Sequence, residues 1–416
     1  MRTRIAAVAS AAAMVLGVTV ATSGGPPVGA SPSKAPIKIA LITSETGAAA
    51  SLFQTAPQGF LARIALQNAE GGVNGHKLVP VVINDQTSIT LVGTAIKEAL
   101  ADGSLGIVSD TPAFFAGYRL AQEAGEPVTG GSFDGPEWGE QPNTNMFAAD
   151  SGSVDPTYPA NTEIGSFLKS HGGTVIGVYG LSALPSSRHA AAAVAESFKK
   201  VGGNVGVLDT SINYLGADFT STALQAKSAG VNTVFAGLSD SEDIALATAF
   251  KQAGVKLKAV FLATGYEPGI IGTPAWKEVQ GDWFGAACRP FSVPDAGTIA
   301  MDAAMRKYEH WSASEFPTLG ICESWLGAAL MIEGIQRAGA NPTQAGVIKA
   351  LRGITSWNGG GLLAESIDYA TVFGHGPPEQ CGWYVRAEPK GFVPASTHPV
   401  CGHNIPGTGT ASPSSS

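Results

Sequence analysis

Residues 37–85 read IKIALITSETGAAASLFQTAPQGFLARIALQNAEGGVNGHKLVPVVIND. An apolar strand ends in a hydroxyl-rich turn of Thr43, Ser44, Thr46 and Gly47. A helical run of about twenty residues follows, punctuated by Gly59, and stops at Gly71-Gly72. Val73-Asn74-Gly75 then turns the chain into a second apolar strand, Leu78 to Ile83. Strand, helix and strand in this order make a βαβ unit that opens a parallel sheet. In such a sheet, ligands meet the loops beyond the strand C-terminal ends.

The rhythm continues outward from this unit. Helices are expected over 88–101 and 113–124, and strands over 105–108 and 126–129. An extended piece at 145–148 precedes a polar, Gly-containing stretch at 150–155, which reads as a crossing between domains. The pattern then restarts. Strands at 174–179, 205–208, 231–236 and 258–262 alternate with helices at 187–201, 217–228 and 241–253. A strand at 283–287 leads back, and helices follow at 297–310, 322–338 and 343–352. In the second of these, Trp325, Ala329, Ile332 and Ile335 recur at a spacing that buries one face. The last part is hairpin-like, WYVRAEP then GFVPAS. The fold class is therefore α/β, with two doubly wound parallel-sheet domains joined by a hinge. The first domain is expected over 36–148 plus 288–355, and the second over 149–287 plus 356–403. The tail, 404–416, is expected to be disordered.

The GGVNG turn, the downstream Asp85 and the two similar α/β halves resemble a type I extracytoplasmic solute-binding protein of an ABC importer. The likeness is to the branched-chain amino acid-binding family, and it runs from about Ile37 to Pro394. It implies the type I periplasmic binding protein fold, a small-molecule ligand, an ABC transporter permease as partner, no cofactor and a monomer. A ligand-sensing module of the same fold, or a secreted α/β enzyme, are the competing readings.

Residues 1–30 have the form of a secretory signal peptide. Arg2 and Arg4 precede an apolar run from Ile5 to Val20, and Val28-Gly29-Ala30 sets small residues before a cut at Ser31. The run is short for a bilayer span, and Gly-Gly-Pro-Pro at 24–27 breaks it. The first cysteine is Cys288, so no lipobox cysteine follows the apolar run. The expected location is periplasmic or extracellular. Removing residues 1–30 takes away two arginines and no acid, so the formal charge of −8 becomes −10. An acidic chain argues against nucleic acid and anionic membranes as partners. The four cysteines, at 288, 322, 381 and 401, suit disulfides in an exported chain. Three connectivities are possible. Cys381 and Cys401 flank the hairpin and make the easy closure, which leaves Cys288 with Cys322. His398, Cys401 and His403 are close in sequence but lack the partners of a zinc site.

Enzyme motifs are missing from the sequence. It has no GxGxxG after a strand, no GxxxxGK[ST] and no HExxH, and Gly237-Leu-Ser239-Asp-Ser241 lacks the second glycine of a nucleophile elbow. The strand-end loops offer hydroxyls, glycine amides and a few carboxylates instead, groups that orient a small polar ligand. The expected ligand-binding set is Ser44, Thr46, Ser109, Asp110, Thr111, Ser132 and Asp134 in the first domain, with Ser239, Tyr266 and Glu267 in the second. Helix capping accounts equally well for Thr111, Ser187 and Ser241 taken singly. In the family, first-domain hydroxyls and amides hold the ligand carboxylate. Thr111 and Ser132 fall near those loops. A second-domain acid holds the ammonium, and Glu267 in ATGYEPG matches it. Two departures stand out. Asp110 and Asp134 lie where another anion would repel a carboxylate, and Leu184-Pro185 replaces an aromatic residue. An acidic cleft that prefers a cationic or donor-bearing ligand is the expectation.

Overall fold

The structure is a computed structural model, and it describes residues 34–131, 138, 143–150, 159–213, 218–372 and 380–409. Residues 1–33 and 410–416, Ser132 and Asp134 lie outside the described residues.

The first lobe opens with β1 (Lys34–Thr43), α1 (Ala50–Phe53), α2 (Ala56–Ala69), β2 (His76–Asn84), α3 (Val92–Ala101), β3 (Ile107–Asp110), α4 (Tyr118–Ala124), β4 (Val128–Gly130) and β5 (Met146–Ala148). Its five strands are parallel in the order β2-β1-β3-β4-β5. The second lobe runs through α5 (Glu163–Ser170), β6 (Val175–Leu181), α6 (Pro185–Lys200), β7 (Asn204–Ile212), α7 (Thr220–Ser228), β8 (Thr233–Gly237), α8 (Asp240–Gln252), β9 (Ala259–Leu262), α9 (Pro274–Glu278) and β10 (Trp283–Ala286). The chain returns to the first lobe for α10 (Ala296–Tyr308), α11 (Leu319–Arg337), α12 (Gln344–Arg352) and α13 (Tyr369–Val372). It ends in the second with β11 (Cys381–Glu388), β12 (Gly391–Pro394) and β13 (Val400–Cys401). There the order is β12-β11-β10-β9-β8-β6-β7, parallel from β10 to β7 and antiparallel at β11 and β12.

Both faces of each sheet are covered. Along β1, Ile39 and Leu41 join the core made with α2, α10 and α11, while Ala40 and Ile42 face α3 and α4. In the second lobe, Val234 and Ala236 of β8 pack with α7 and α8, and Phe235 packs with α5 and α6. Two-sided burial explains why these strands are almost continuously apolar.

The decisive turn takes its shape from backbone freedom. Gly71, Gly72, Asn74 and Gly75 all have positive φ, at 101°, 79°, 51° and 86°. Asn74 Nδ2 also donates to Gln336 O at 3.0 Å and Gly339 O at 2.9 Å, tying the turn to the end of α11. The single long helix expected after β1 is two, because Pro57 cannot continue a preceding helix and instead opens α2. Gly59 sits where α2 crosses α11. A Cβ there would strike the Ile321 carbonyl oxygen and come within 2.6 Å of Ser324 Oγ.

Two expectations need correction. Residues 356–369 were expected in the second domain, yet Trp357, Leu362, Leu363, Ile367 and Tyr369 pack in the first-lobe core. Trp357 Nε1 donates to Ala149 O at 2.8 Å, and the Tyr369 hydroxyl donates to Ala148 O, so this segment clasps the end of β5. Helix α11 buries more than one face. Its buried residues include Ile321, Cys322, Glu323, Ser324, Trp325, Leu326 and Leu330, as for a helix enclosed on all sides. The cysteines pair as Cys288–Cys322 and Cys381–Cys401. Cys401 is thus in a disulfide, and the described residues contain no group of three or more side chains poised to hold a metal.

Candidate ligand-binding site

The two lobes enclose a cavity of about 340 Å³, lined from the first by Leu52, Phe53, Pro112, Asp150, Leu319, Glu323 and Leu363. The second contributes Glu163, Leu184, Ser187, His189, Val194, Phe235, Ser239, Phe261, Thr264, Trp383 and Tyr384. The loops after β1, β3, β6, β8 and β9 all reach it, as a parallel sheet requires.

Local structure explains these positions. Leu52 and Phe53 sit on the single turn α1 and pack on Leu319 at the head of α11. Ser187 Oγ accepts from Leu181 N at 2.7 Å and donates to Gly237 O at 2.5 Å, so it knots β6, α6 and β8 together. The first turn of α11 is capped by Thr318 and held to the crossing after β10 by Cys288–Cys322. Glu323 is the next residue. Glu163 opens α5 and lies against two glycines, Gly382 and Gly402, where any Cβ would collide with it. Each follows a half-cystine of the Cys381–Cys401 bridge, so that bridge forms the seat of Glu163.

The cavity's charge chemistry is one-sided. Asp110 and Glu323 are buried, at 0% and 3% exposed. Their carboxyls lie in hydrogen-bond contact, which requires a proton between them. Burial, reinforced by the neighbouring Asp150 charge, pushes both upward. Beyond this contact, Asp110 Oδ1 and Oδ2 and Glu323 Oε2 have no partner. Asp150 is raised by burial to about 6. Glu163, 7% exposed, is raised by burial to about 7, with Glu365 adding to the shift and the facing Tyr384 hydroxyl opposing it. Burial also lowers the pKa of His189. No Lys or Arg among the described residues lines the cavity.

Of the expected site residues, the structure brings Ser239 to the cavity, where its Oγ donates to Glu242 Oε2 at 2.8 Å. Asp110 stands behind Glu323. Ser44 and Thr111 are buried in a first-lobe network and donate to the two carboxylate oxygens of Asp85 at 2.8 and 2.5 Å. Thr111 Oγ1 also accepts from Ala113 N at 3.1 Å, a turn contact. Ser109 Oγ is buried without a partner, and exposed Thr46 accepts from Asn84 Nδ2 at 2.8 Å. Tyr266 does not line the cavity. Its ring stacks on Phe316, with centroids 4.5 Å apart, and meets Phe392 edge-on. Glu267 lies off the cavity too, and its carboxyl is raised to about 8 by burial and then by Asp240.

A family model described as periplasmic binding protein matches residues 36–391. The chain belongs to the periplasmic binding protein family. No curated protein matches it by sequence. Among solved structures, this periplasmic binding protein is similar to a branched-chain amino acid ABC transporter protein from Thermus thermophilus with bound valine. The two share 18% identity and a TM-score of 0.74, over 88% of this chain and 96% of that one. It is similar also to a fatty acid ABC transporter substrate-binding protein from Thermomonospora curvata, at 18% identity and a TM-score of 0.70, over 89% and 93% of the two chains. A solute-binding protein from R. palustris in complex with benzoate matches at 15% identity and a TM-score of 0.70, over 90% and 99%. At these identities the likeness speaks for the fold.

Sequence reasoning passed over Glu163, Glu323 and Asp150. A signal existed for Glu323, a lone acid within ICESWLGAALMI, a run too apolar for a solvated helix face. Glu163 opens a helix, where acids are common, so nothing in the sequence set it apart.

Proposed function

We propose that this periplasmic binding protein captures a small ligand with an apolar body and a hydrogen-bond-donating end, and delivers it to an ABC importer. The ligand class of the sequence reading, an amino acid, an amino acid-like compound or an amide, narrows to its more apolar members. The carrying observation is the interlobe cavity, whose walls are mostly apolar, with Ala and Leu the commonest residues, and whose ionisable groups are mostly carboxyls. A volume of about 340 Å³ falls in the usual range for small-molecule sites. The relatives named for valine, fatty acid and benzoate support a ligand with an apolar body; those ligands all carry a carboxylate, and the acidic lining is where this cavity departs from them. Two disulfides and the leader-like residues 1–30 support an exported protein.

A thermal-shift screen of amines, amides, amino acids and aromatic acids tests the binding half. A ligand at a hundred times its Kd should add about 2.7 kcal/mol of stability. Uptake of the labelled hit by cells with and without the gene tests delivery. Equal uptake by both would count against a transport role.

A further inference from the structure

We infer that the cavity takes a protonated amine carried on an apolar body and lacking a carboxylate. This deepens the solute-binding reading and rests on it.

Acidic side chains reach the cavity from both lobes, Glu163 from the second and Glu323 with Asp150 from the first. Glu323 and Glu163 are only 3% and 7% exposed, and beyond the Asp110 contact of Glu323 and the Tyr384 hydroxyl beside Glu163 their carboxyls meet no donor. Folded proteins rarely leave such atoms unmatched, and the missing donors are what an ammonium supplies. The groups facing these acids offer no positive charge. Asp110 and Asp150 face Glu323, and Tyr384 and Glu365 face Glu163.

Arg289, whose guanidinium lies over the ring of the cavity-lining Trp383 at 4.9 Å, is already paired with Asp295 at 2.7 Å. Among the described residues no Lys or Arg lines the cavity, and the segments 132–137, 139–142, 151–158, 214–217 and 373–379 contain none. Burial keeps His189 neutral at pH 7. A ligand carboxylate would enter an acid-lined site with no Lys or Arg in its described lining to receive it. Leu52, Phe53, Phe235 and Phe261 instead offer an alkyl or aryl body a surface to bury.

The proton balance follows from the same groups. In the empty protein burial holds a proton on the Asp110 and Glu323 pair at neutral pH, and Glu163, at about 7, is partly protonated. An arriving ammonium keeps its own proton, and the carboxylic acid that receives it loses one to solvent. Binding should therefore release protons.

Four probes that share one body separate the alternatives: 2-phenylethylamine, 2-phenylethanol, phenylalanine and 3-phenylpropanoate. Calorimetry of the oxidised protein at pH 7.5, in two buffers of different ionisation enthalpy, reads affinity and proton release together. The amine should bind roughly tenfold or more tightly than phenylalanine or 3-phenylpropanoate, with net proton release. Glu323→Gln and Glu163→Gln should each weaken the amine by about tenfold or more, and 2-phenylethanol by less than about threefold. The neutral probe also reports that each variant is folded. Equal or tighter binding of phenylalanine or 3-phenylpropanoate overturns the amine assignment and leaves the solute-binding reading standing. Unchanged amine affinity in both variants overturns the assignment as well. Failure of all four probes overturns the assignment for a body of this size, and the thermal-shift screen then decides the solute-binding reading by itself.

Discussion

At the scale of single residues, the buried carboxyls set how stability responds to pH. Glu163 titrates at about 7 in the folded protein, against an ordinary value of 4.5. Its pKa is raised on folding, so its stabilising contribution is complete below about pH 4.5 and is lost as pH rises through 7. A shift of this size corresponds to about 3 kcal/mol. Asp150, at about 6, acts in the same direction. The melting temperature of the unliganded protein should therefore fall between pH 5 and pH 8. Glu163→Gln removes the cost of charging this site. It should raise the melting temperature at pH 8 and leave it nearly unchanged at pH 5. Melting curves at the two pH values check this, and an equal change at both would mean that Glu163 does not titrate in this window. Glu267 provides a control. It is raised to about 8 but lies off the cavity, so Glu267→Gln should flatten the pH profile while changing ligand affinity by less than about threefold.

At the scale of elements, α11 carries the first lobe. It fits only because neighbouring backbone approaches it closely, as at Gly59. A Gly-to-Ala change inside an exposed helix gains about 1 kcal/mol. At Gly59 the added methyl would meet the Ile321 backbone, and neither helix can shift without disturbing the core. Gly59→Ala should instead lower stability by about 2 kcal/mol, as overpacking does. Denaturant midpoints at constant m-value would show it, and a stabilised variant would refute the crossing geometry. The Cys288–Cys322 bridge closes a loop with a sequence separation of 34 and anchors the turn that presents Glu323. Replacing both cysteines with serine should cost about 3–4 kcal/mol in the chain-entropy model. These elements also mark how far the sequence was legible. Strand and helix order followed from apolar period and glycine turns, because those patterns answer to local geometry. The assignment of residues 356–369 failed because no local period says which lobe a Trp357 or Tyr369 will clasp. The cavity walls were only partly legible for a related reason. Loop ends were foreseeable, but faces of α5, α6 and α11 turn toward the cavity only once the two lobes are set side by side.

At the scale of the whole molecule, the question is what holds the lobes around the cavity. The chain passes between the lobes between β5 and α5, after β10, and between α13 and β11. Away from these crossings, Phe316, from the segment between α10 and α11, reaches across to the second lobe. It stacks on Tyr266 at 4.5 Å between centroids and meets Phe392 edge-on at 5.9 Å. Trp276 and Phe284 pack on the other sides of Phe392, so the receiving surface is itself fixed. An aromatic contact of this kind is worth about 0.5–1.5 kcal/mol beyond the area it buries. None of these rings lines the cavity, so the contact acts on lobe arrangement and not on the ligand directly. If ligand binding draws the lobes together, scattering at saturating ligand should give a smaller radius of gyration than the unliganded protein. Phe316→Ala should then weaken affinity by about three- to tenfold, because the ligand must supply the closure energy that the ring no longer provides. The loss should appear mainly as faster dissociation, with melting temperature little changed in the absence of ligand. Identical affinity and dissociation rate in Phe316→Ala would show that the aromatic contact is passive, and an unchanged radius would remove lobe closure from the binding mechanism.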